Sequence, residues 1–567
     1  MSNIDWVVLF ITLISIVLYG LYKSRGTQDI NGFLLGNQSL PWYHVTLSVM
    51  ATQASAITFL SAPGLAFSTG MSFVQFYFGL PLAMIVLCIT FVPIFHRLKV
   101  YTAYEFLEKR FDLKTRALTA FLFLIQRGLS TGITIYAPSI ILSTILNIDT
   151  TYTTLFIGCL VVTYTVYGGT KAVSYTQLMQ MSIIFSGLFL AGIMVVHLLP
   201  GNIGFGKAIQ IAGKMGRTNA IDFSFDWNNQ YTVWSGLIGG FFLQLSYFGT
   251  DQSQVGRYLT GASVSQSRLG LLMNGLVKIP MQFLILLIGV LVFAFYQYNQ
   301  PPIFFNSYEL NKLEKSRYEG DLNKIKTDYS EAFREKQVQV NVLNDALEAG
   351  NEKEVDKSRI ILQKADEKTK SIRKQAVDLM VKNDPNADTN DNNYVFLSFV
   401  TQYLPRGLIG LLIAIIFLAS MGSTASALNS LASTTVIDIY KRLVHKDDAE
   451  GNYLAASRWA TVIWGMVCIT MALYASKLGN LIEAVNILGS LFYGTILGIF
   501  IVAFYLKKIG GAAVFAAALI TEVIVFSCWI ANLMAFLWLN VVGCLLVVII
   551  SFLISKFYKE QSQPEIA

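Results

Sequence analysis

The chain has 567 residues, of which 54% are hydrophobic and only 14% are charged. A soluble domain carries roughly a quarter charged residues, so this composition excludes an ordinary globular protein and indicates a helical membrane protein. The net charge of +7 comes from basic residues in short segments between apolar runs, which gives no reason to expect a nucleic-acid partner. The partner expected from composition is the lipid bilayer.

Thirteen apolar runs are long enough to predict membrane-spanning helices. Basic residues are concentrated in alternate loops, so the positive-inside rule places the N-terminus outside and the C-terminus in the cytoplasm. The predicted location is the plasma membrane, or the inner membrane of a Gram-negative cell. The predicted spans lie near 5–22, 44–68, 71–95, 117–146, 152–169, 176–199, 232–250, 270–297, 405–433, 456–476, 481–505, 511–531 and 534–555.

A charged insertion at 307–383 separates the eighth and ninth spans. Apolar residues recur there with coiled-coil spacing on both sides of EAGNE (348–352), which predicts an antiparallel helical hairpin outside the membrane. A polar linker at 383–393 leads back into the bilayer. Two interpretations stay open: a solvated insertion without chemistry, or a docking element for an extracytoplasmic partner of residues 307–383.

Two of the spans contain small, hydroxyl and amide residues that predict interrupted helices. The first is ATQASAITFLSAPG (51–64), which ends on Pro63 and Gly64, and the second is WSGLIGGFFLQLSYFGTDQSQ (234–254). An interrupted helix in a membrane has to line a cavity enclosed by protein, and two of them five spans apart indicate a transporter's binding site. Close packing through small residues is the alternative for either one alone.

A third span, FLASMGSTASALNSLAST (417–434), is also rich in small and hydroxyl residues and supports this interpretation. Sodium is a hard cation that needs several oxygen ligands. Carbonyls released by an interrupted helix, together with hydroxyls of a facing helix, supply such ligands without a buried carboxylate. The sequence therefore predicts a sodium site between these elements.

The sequence resembles the sodium/solute symporter family, which includes transporters of sugars, proline, iodide, vitamins and sialic acid. The stretches that carry the resemblance are YGGTKAVSYTQLMQ (167–180), GTDQSQVGRYL (249–259) and LPRGLIGLLIAIIFLASMGSTASALNS…DIYKR (404–442). The resemblance implies a leucine-transporter-like core of two inverted five-helix repeats, with one helix before it and two after it. The implied parts are 1–43 (first extra helix and cytoplasmic linker), 44–304 (first repeat and start of the second), 305–395 (insertion), 396–505 (rest of the second repeat) and 506–567 (two final helices and tail).

The resemblance also implies a sodium site, and Na⁺ is the co-transported ion. Carried over by position, its ligands are Ala51, Ala54, Ala419, Gly422 and Ser423. Relatives often have a second hydroxyl where this chain has Gly422, so Thr424 is a candidate substitute and a serine at 422 is expected to strengthen binding. Relatives with a second sodium site use an aspartate where this chain has Gln177, so the second site is expected to be absent.

The implied substrate site lies between the first, third, sixth and tenth core helices, and Tyr247 is the aromatic gate on its cytoplasmic side. Sugar-binding relatives place an amide in the tenth core helix where this chain has Val485, which speaks against a simple hexose. The candidate substrate contacts are Gln53, Ser55, Thr58, Tyr77, Arg127, Ser130, Gln244, Tyr247 and Phe248.

Arg127 lies within a predicted span, and an intramembrane arginine is a functional hypothesis by default. Snorkelling toward the cytoplasm and a structural ion pair are two alternative explanations. An arginine that faces the cavity would instead favour a substrate with a carboxylate, such as a sugar acid.

The function predicted is sodium-coupled import of a small polar solute by alternating access. Import of a neutral sugar or polyol is the first alternative, and a transporter-like solute sensor is the second. No signalling domain follows the last span in this sequence, which disfavours the sensor. No nucleophile–base pair or metal-ligand cluster points to an enzyme, and no metal other than sodium is expected.

Overall fold

The computed structural model describes residues 1–24, 38–98, 100–201, 203–444 and 450–557. Every longer regular element in these residues is a helix. The helices are α1 (Asn3–Ser24), α2 (Trp42–Gln53), α3 (Ala56–Thr69), α4 (Met71–Leu98), α5 (Glu105–Arg110), α6 (Leu113–Leu146), α7 (Thr150–His197), α8 (Phe205–Lys214), α9 (Gly240–Thr250), α10 (Gln252–Tyr258), α11 (Val264–Tyr298), α12 (Ser307–Glu314), α13 (Glu319–Glu348), α14 (Glu352–Asn383), α15 (Val395–Tyr403), α16 (Leu408–Thr434), α17 (Glu450–Ala472), α18 (Leu481–Tyr505), α19 (Gly511–Ile530) and α20 (Phe536–Phe557).

Nine helices of the described part are long and apolar enough to cross a membrane, and the bent pair α2 and α3 makes a tenth candidate. Shorter apolar helices lie at Asn3–Ile16 and Thr150–Val166. The protein is therefore a multi-pass membrane protein, while the count of thirteen spans and the orientation of the termini stay predictions. One local prediction was wrong: α7 runs as one helix from Thr150 to His197, where two spans separated by a loop at 170–175 were expected. Gly168 and Gly169, just before this segment, lower helix propensity without forcing a break.

The first predicted interruption is present, at a different residue from the Pro63–Gly64 pair. The chain leaves helical geometry at Ala54 and Ser55, and α2 and α3 meet at 61°. Pro63 lies inside α3. Gly64 is needed for packing, because a Cβ there would lie 1.8 Å from the carbonyl oxygen of Asn392.

The second predicted interruption falls at Asp251, whose extended backbone separates α9 from α10. The Gly239–Gly240 pair lies in continuous helix that begins with a π turn. These glycines allow close packing instead, since a Cβ on Gly240 would lie 2.7 Å from the carbonyl oxygen of Phe76. Both interrupted helices therefore exist, and neither break falls at the Pro63–Gly64 pair or the Gly239–Gly240 pair.

The predicted helical hairpin is formed by α13 and α14, which turn at Gly350 with φ +64°. Its predicted seam residues are mostly buried, among them Leu322, Tyr329, Val340 and Leu362. A buried ion pair between Lys336 and Asp366, at 2.7 Å, joins the two helices. The coiled-coil spacing thus identified the correct contact faces.

The hairpin is also fixed to the rest of the protein, which the sequence did not indicate. Gln337 donates to the carbonyl oxygen of Tyr298 at 2.7 Å, at the end of α11. Arg373 donates to the carbonyl oxygen of Ile303 at 3.0 Å and to the carboxylate of Asp391 at 2.6 Å. The hairpin therefore makes contacts both between its own two helices and with the rest of the protein.

Replacing residues 307–383 with a Gly/Ser linker should leave uptake nearly intact and lower the thermal stability. No residue of α13 or α14 lines the central cavity described below, whereas the contacts of Gln337 and Arg373 would be lost. Initial uptake rate per inserted protein and the melting temperature measure the two effects. Loss of uptake with normal membrane insertion would make the hairpin a capture or docking element instead.

The linker between α14 and α15 contains a partly buried carboxyl, Asp388. Its oxygens accept hydrogen bonds from the backbone N–H of Asn390 at 3.1 Å and from the Tyr394 hydroxyl at 3.2 Å. Burial, with the neighbouring charges of Glu309 and Asp391, raises the pKa of Asp388 to about 7. The folded protein therefore favours the protonated form at pH values where an exposed aspartate is ionised.

This shift predicts a pH-dependent stability that Asp388→Asn removes. An unfolded aspartate ionises near pH 4, so the folded state loses stability as the pH rises from about 4 to about 7 and stays constant above. We expect the variant to melt about 1–3 °C higher than the wild type at pH 8 and at the same temperature at pH 4.5. An equal difference at both pH values would show that titration of Asp388 is not the cause.

Candidate functional site

A central cavity lies at the interruption of the first core helix. It is bounded by the α2–α3 break, α4, α6, α9, α16 and α18. The lining residues are Thr52, Gln53, Ser55, Ile57, Thr58, Phe76, Tyr77, Arg127, Ser130, Thr134, Leu243, Gln244, Tyr247, Ser423, Ile482, Val485, Asn486, Gly489 and Tyr493. All but one of the substrate contacts expected from the sequence line this cavity.

Phe248 is the exception and needs a correction. Its side chain is fully buried behind the cavity wall, with its ring centroid 4.9 Å from that of Tyr247. Consecutive residues of a helix point about 100° apart, which allows Tyr247 to face the cavity while Phe248 packs into the protein. Tyr247 keeps the predicted contact, and Phe248 supports its ring from behind.

Several polar atoms around the cavity are buried and have no hydrogen-bond partner among the described residues. They are both amide atoms of Gln244, Oε1 of Gln53 and Nε of Arg127. Buried polar groups in folded proteins are normally paired, so a cluster of unpaired ones in one cavity indicates a place for water or a polar ligand. The cavity thus offers both donors and acceptors to a solute.

Arg127 is held in the cavity wall by the long helix α6, which Asp112 caps through a 2.7 Å bond from the Thr115 backbone N–H. The Arg127 side chain is 10% exposed, and its Nη1 lies 3.5 Å from a carboxylate oxygen of Asp251. The guanidinium therefore points into the protein, and snorkelling toward the cytoplasm was the wrong explanation. The ion pair and the cavity-facing position coexist.

Asp251 connects three helices at the second interruption. One oxygen accepts from the Tyr493 hydroxyl of α18 at 2.8 Å and faces Arg127 of α6. The other accepts from the backbone N–H of Ser253 at 2.8 Å and from its hydroxyl at 2.6 Å. Because all these partners are buried, the carboxylate fixes the relative positions of the sixth, third and tenth core helices.

The predicted gate residue Tyr247 lies beside this cluster. Its hydroxyl accepts a 2.6 Å bond from the Gln254 amide, and its ring centroid is 5.9 Å from that of Tyr493. The two tyrosines form one wall of the cavity. This position fits the predicted gate role, which stays a prediction.

The residues predicted to bind sodium lie on both sides of one helix contact. Ala51 and Ala54 are buried at the end of α2, and Ala419, Gly422 and Ser423 are on the facing helix α16. Thr52 Oγ1 lies 3.5 Å from Ser426 Oγ, which shows how closely the two helices approach. The Ser423 hydroxyl donates to the carbonyl oxygen of Ala419 at 2.9 Å, so its lone pairs remain available to a cation.

Gly422 has a neighbour that the sequence did not reveal. A Cβ at this position would lie 2.7 Å from Oε1 of Gln180, so a serine would first have to displace that amide. The expectation that Gly422→Ser strengthens sodium binding therefore requires the flexible Gln180 side chain to move, and it stays a prediction. The buried Thr424 hydroxyl has no hydrogen-bond partner among the described residues and remains the candidate substitute.

Gln177 occupies the position where relatives with a second sodium site have an aspartate. Its Nε2 donates to Thr52 Oγ1 at 3.3 Å and to the Gly422 carbonyl oxygen at 3.5 Å, and its Oε1 accepts from Ser48 at 2.6 Å. The guanidinium of Arg257 lies next to it, with Nε 3.0 Å from Ser426 Oγ. Amide and guanidinium N–H groups therefore face the oxygens that a second cation would need.

Sequence reasoning missed other residues of the site. Asp251 lies in the motif GTDQSQVGRYL (249–259) but was not predicted as a site residue. Asn486, one residue beyond Val485, supplies an amide to the cavity. Lys278 lies outside the cavity lining: it is fully buried in α11, its Nζ is 5.6 Å from the ring centroid of the cavity residue Tyr77, and it has no hydrogen-bond partner in the described chain. The argument that selected Arg127, an intramembrane charge, would have found Lys278 as well.

A family model for the sodium:solute symporter family matches residues 33–303 and 380–521. The match covers well over half of the chain and leaves out the helical insertion. The chain belongs to the sodium:solute symporter family. The family and the relatives described next are transporters, not enzymes.

Two relatives of this symporter family are similar over most of the chain, and a third is similar over about half of it. The sodium-dependent multivitamin transporter of Oryctolagus cuniculus is 26% identical over 506 residues, which is 88% of this chain and 66% of the rabbit protein. The sodium/glucose cotransporter of Vibrio parahaemolyticus is 26% identical over 530 residues, 90% and 83% of the two chains. The human sodium/iodide cotransporter is 31% identical over 274 residues, 48% and 42%. The chain thus spans less than two thirds of the two animal proteins.

A solved structure shows the same fold. A sodium-coupled sialic acid symporter in a substrate-bound, outward-open state superposes with a TM-score of 0.76 at 20% identity, over 99% of this chain and 100% of the other. The predicted leucine-transporter-like architecture is therefore confirmed. At this identity the likeness establishes the fold alone.

Proposed function

We propose that the protein is a sodium-coupled symporter that imports a small polar organic solute by alternating access. Family membership supports the reaction class. The observation that carries the solute class is the cavity at the two interrupted helices, where unpaired amide atoms of Gln53 and Gln244 accompany Arg127. In this fold, ligands that bind at helix interruptions meet backbone and side-chain polar groups at the middle of the membrane.

A solute with a carboxylate, such as a sugar acid, is the leading substrate class. Arg127 faces the cavity, and its Nε is free of hydrogen bonds within the described chain. A guanidinium offers a planar pair of donors that matches a carboxylate.

A neutral sugar or polyol is the second candidate, and a specific contact favours it. Asp251 already lies 3.5 Å from Arg127, so the charge of the guanidinium is balanced without a ligand. The amide of Asn486 and those of Gln53 and Gln244 suit hydroxyl groups. The selectivity between the two classes therefore depends on whether Arg127 can leave Asp251. No specific contact favours a solute sensor.

Uptake into proteoliposomes with an imposed sodium gradient tests the proposal. The panel should pair each sugar acid with the neutral sugar of the same skeleton, so that only the carboxylate differs. We expect uptake that needs the inward sodium gradient and prefers the acid. Uptake of the solute at the same rate in potassium would contradict sodium coupling, and preference for the neutral sugar would select the second candidate.

One sodium ion per substrate is the expected coupling ratio. N–H groups of Gln177 and Arg257 occupy the region of a second site, and N–H donors repel a cation. The ratio follows from the sodium gradient that just balances a fixed opposing solute gradient, measured at zero membrane potential so that the charge of the solute does not matter. Ser426→Ala serves as a control, because removing this hydroxyl should leave a ratio of one unchanged. A ratio of two that falls to one in this variant would establish a second site at Ser426.

A further inference from the structure

The loop before the second interrupted helix exposes large apolar side chains at every second position. Asp222, Ser224 and Asp226 alternate with them. The exposed residues are Ile221 (58%), Phe223 (73%), Phe225 (57%) and Trp227 (50%). Four large, exposed apolar side chains within residues 221–227 are unusual for a loop that faces water.

The loop is held in place by its own hydrogen bonds. The backbone N–H of Val233 donates to the carbonyl oxygen of Asp222 at 2.8 Å, which closes the loop at its base. The Trp234 indole donates to the carbonyl oxygen of Phe223 at 3.1 Å, and the Gln75 side chain accepts from the Asp222 N–H at 2.9 Å. The apolar side chains are therefore presented outward by a defined structure.

Contacts with the start of α20 fix the depth of the loop. The backbone N–H of Ala535 donates to the carbonyl oxygen of Trp227 at 2.7 Å. The ring centroids of Trp227 and Trp538 lie 4.6 Å apart, and those of Phe225 and Trp538 lie 6.1 Å apart. Because Trp538 is in the first turn of an apolar membrane helix, the loop lies at the level where α19 and α20 leave the bilayer.

The exposed apolar surface continues onto the membrane helices themselves. Trp529, Ile530 and Leu533 are 45%, 75% and 59% exposed at the same end of α19, and Val523 is 68% exposed in its middle. Four of the eight tryptophans of the chain, at 227, 234, 529 and 538, are found here. Tryptophan is enriched at membrane–water interfaces because its ring is apolar and its N–H is polar.

We propose that residues 221–227 lie in the boundary between headgroups and hydrocarbon of the bilayer, at the end of α19 away from Lys507 and Lys508. Lipid is the occupant that the structure favours, since the apolar surface of the loop is continuous with the lipid-facing side of α19. The loop joins α8 to the helix that carries Tyr247. Its immersion anchors the start of this helix at the interface while the rest of the cavity wall moves.

Spin labels in proteoliposomes test this proposal. Phe223→Cys is labelled with a nitroxide in a background in which the five native cysteines are replaced by serine or alanine. Val523→Cys is the lipid reference, and Lys324→Cys, on the exposed surface of α13, is the aqueous reference. Power saturation with oxygen, which partitions into lipid, and with a water-soluble nickel chelate reports the depth of each label.

The label at 223 should be accessible to oxygen and protected from the nickel chelate by at least about threefold relative to the label at 324. Nickel accessibility equal to that at 324 would overturn the proposal and place the loop in water. Protection from both reagents, with a short distance between labels on two copies, would also overturn it and assign the surface to a contact between protomers. Normal sodium-dependent uptake by each labelled variant shows that the fold is retained.

Discussion

Uptake of an acidic substrate should be abolished by Arg127→Ala and strongly weakened by Arg127→Lys. Arg127 lines the cavity and lies 3.5 Å from Asp251. Lysine keeps the positive charge but loses the two parallel donors that match a carboxylate, so the half-saturation concentration should rise about tenfold or more. Alanine removes both, and it leaves the buried carboxylate of Asp251 without its cation.

The loss of this ion pair needs its own control, because removing one partner of a buried pair can destabilise a fold by roughly 3–5 kcal/mol. Asp251→Asn breaks the same pair from the other side and keeps one of the two oxygen acceptors, so that either the Tyr493 or the Ser253 hydrogen bond is retained. If Arg127 binds the substrate, Asp251→Asn should retain binding of the acid, while Arg127→Ala should not. Membrane insertion of each variant is measured alongside. Full uptake by Arg127→Lys with an unchanged half-saturation would end the carboxylate argument and favour a neutral sugar or polyol.

Ser423→Ala should raise the sodium concentration for half-maximal uptake by about five- to a hundredfold. The Ser423 hydroxyl donates within its own helix, to the carbonyl oxygen of Ala419, and lines the cavity. Removing an oxygen that contacts a cation costs on the order of 1–3 kcal/mol, and each 1.4 kcal/mol is a factor of ten. The substrate affinity at saturating sodium should change much less.

Ser420→Ala is the matched control for this experiment. Ser420 is on the same helix and is also buried, but its hydroxyl donates to the carbonyl oxygen of Thr134 at 3.1 Å, and it is not a predicted sodium ligand. Its sodium dependence should stay close to the wild type. An unchanged sodium dependence of Ser423→Ala, or an equal shift in both variants, would refute the assignment of Ser423 as a ligand.

Features that depend on residues close together in the chain were predictable from the sequence. Apolar runs identified the membrane helices, because the transfer of a helix into lipid depends on its own side chains. The polar stretches at 51–64 and 234–254 predicted two interrupted helices, and the seams of Leu322 and Leu362 predicted the hairpin. The candidate cavity residues came from these same stretches and from the family resemblance.

Only the tertiary structure decided which of these residues meet. The break lies at Ala54 and Ser55, whereas Pro63 is accommodated inside α3. The choice of Tyr247 over Phe248 as cavity contact follows from the rotation of α9 against α18. The Arg127–Asp251 ion pair joins residues far apart in the chain, and local patterns carry no information on such distances. The close contact between Gly422 and the Gln180 side chain has the same origin. It depends on how closely α7 and α16 approach each other, which is a property of the packed protein and not of either helix alone.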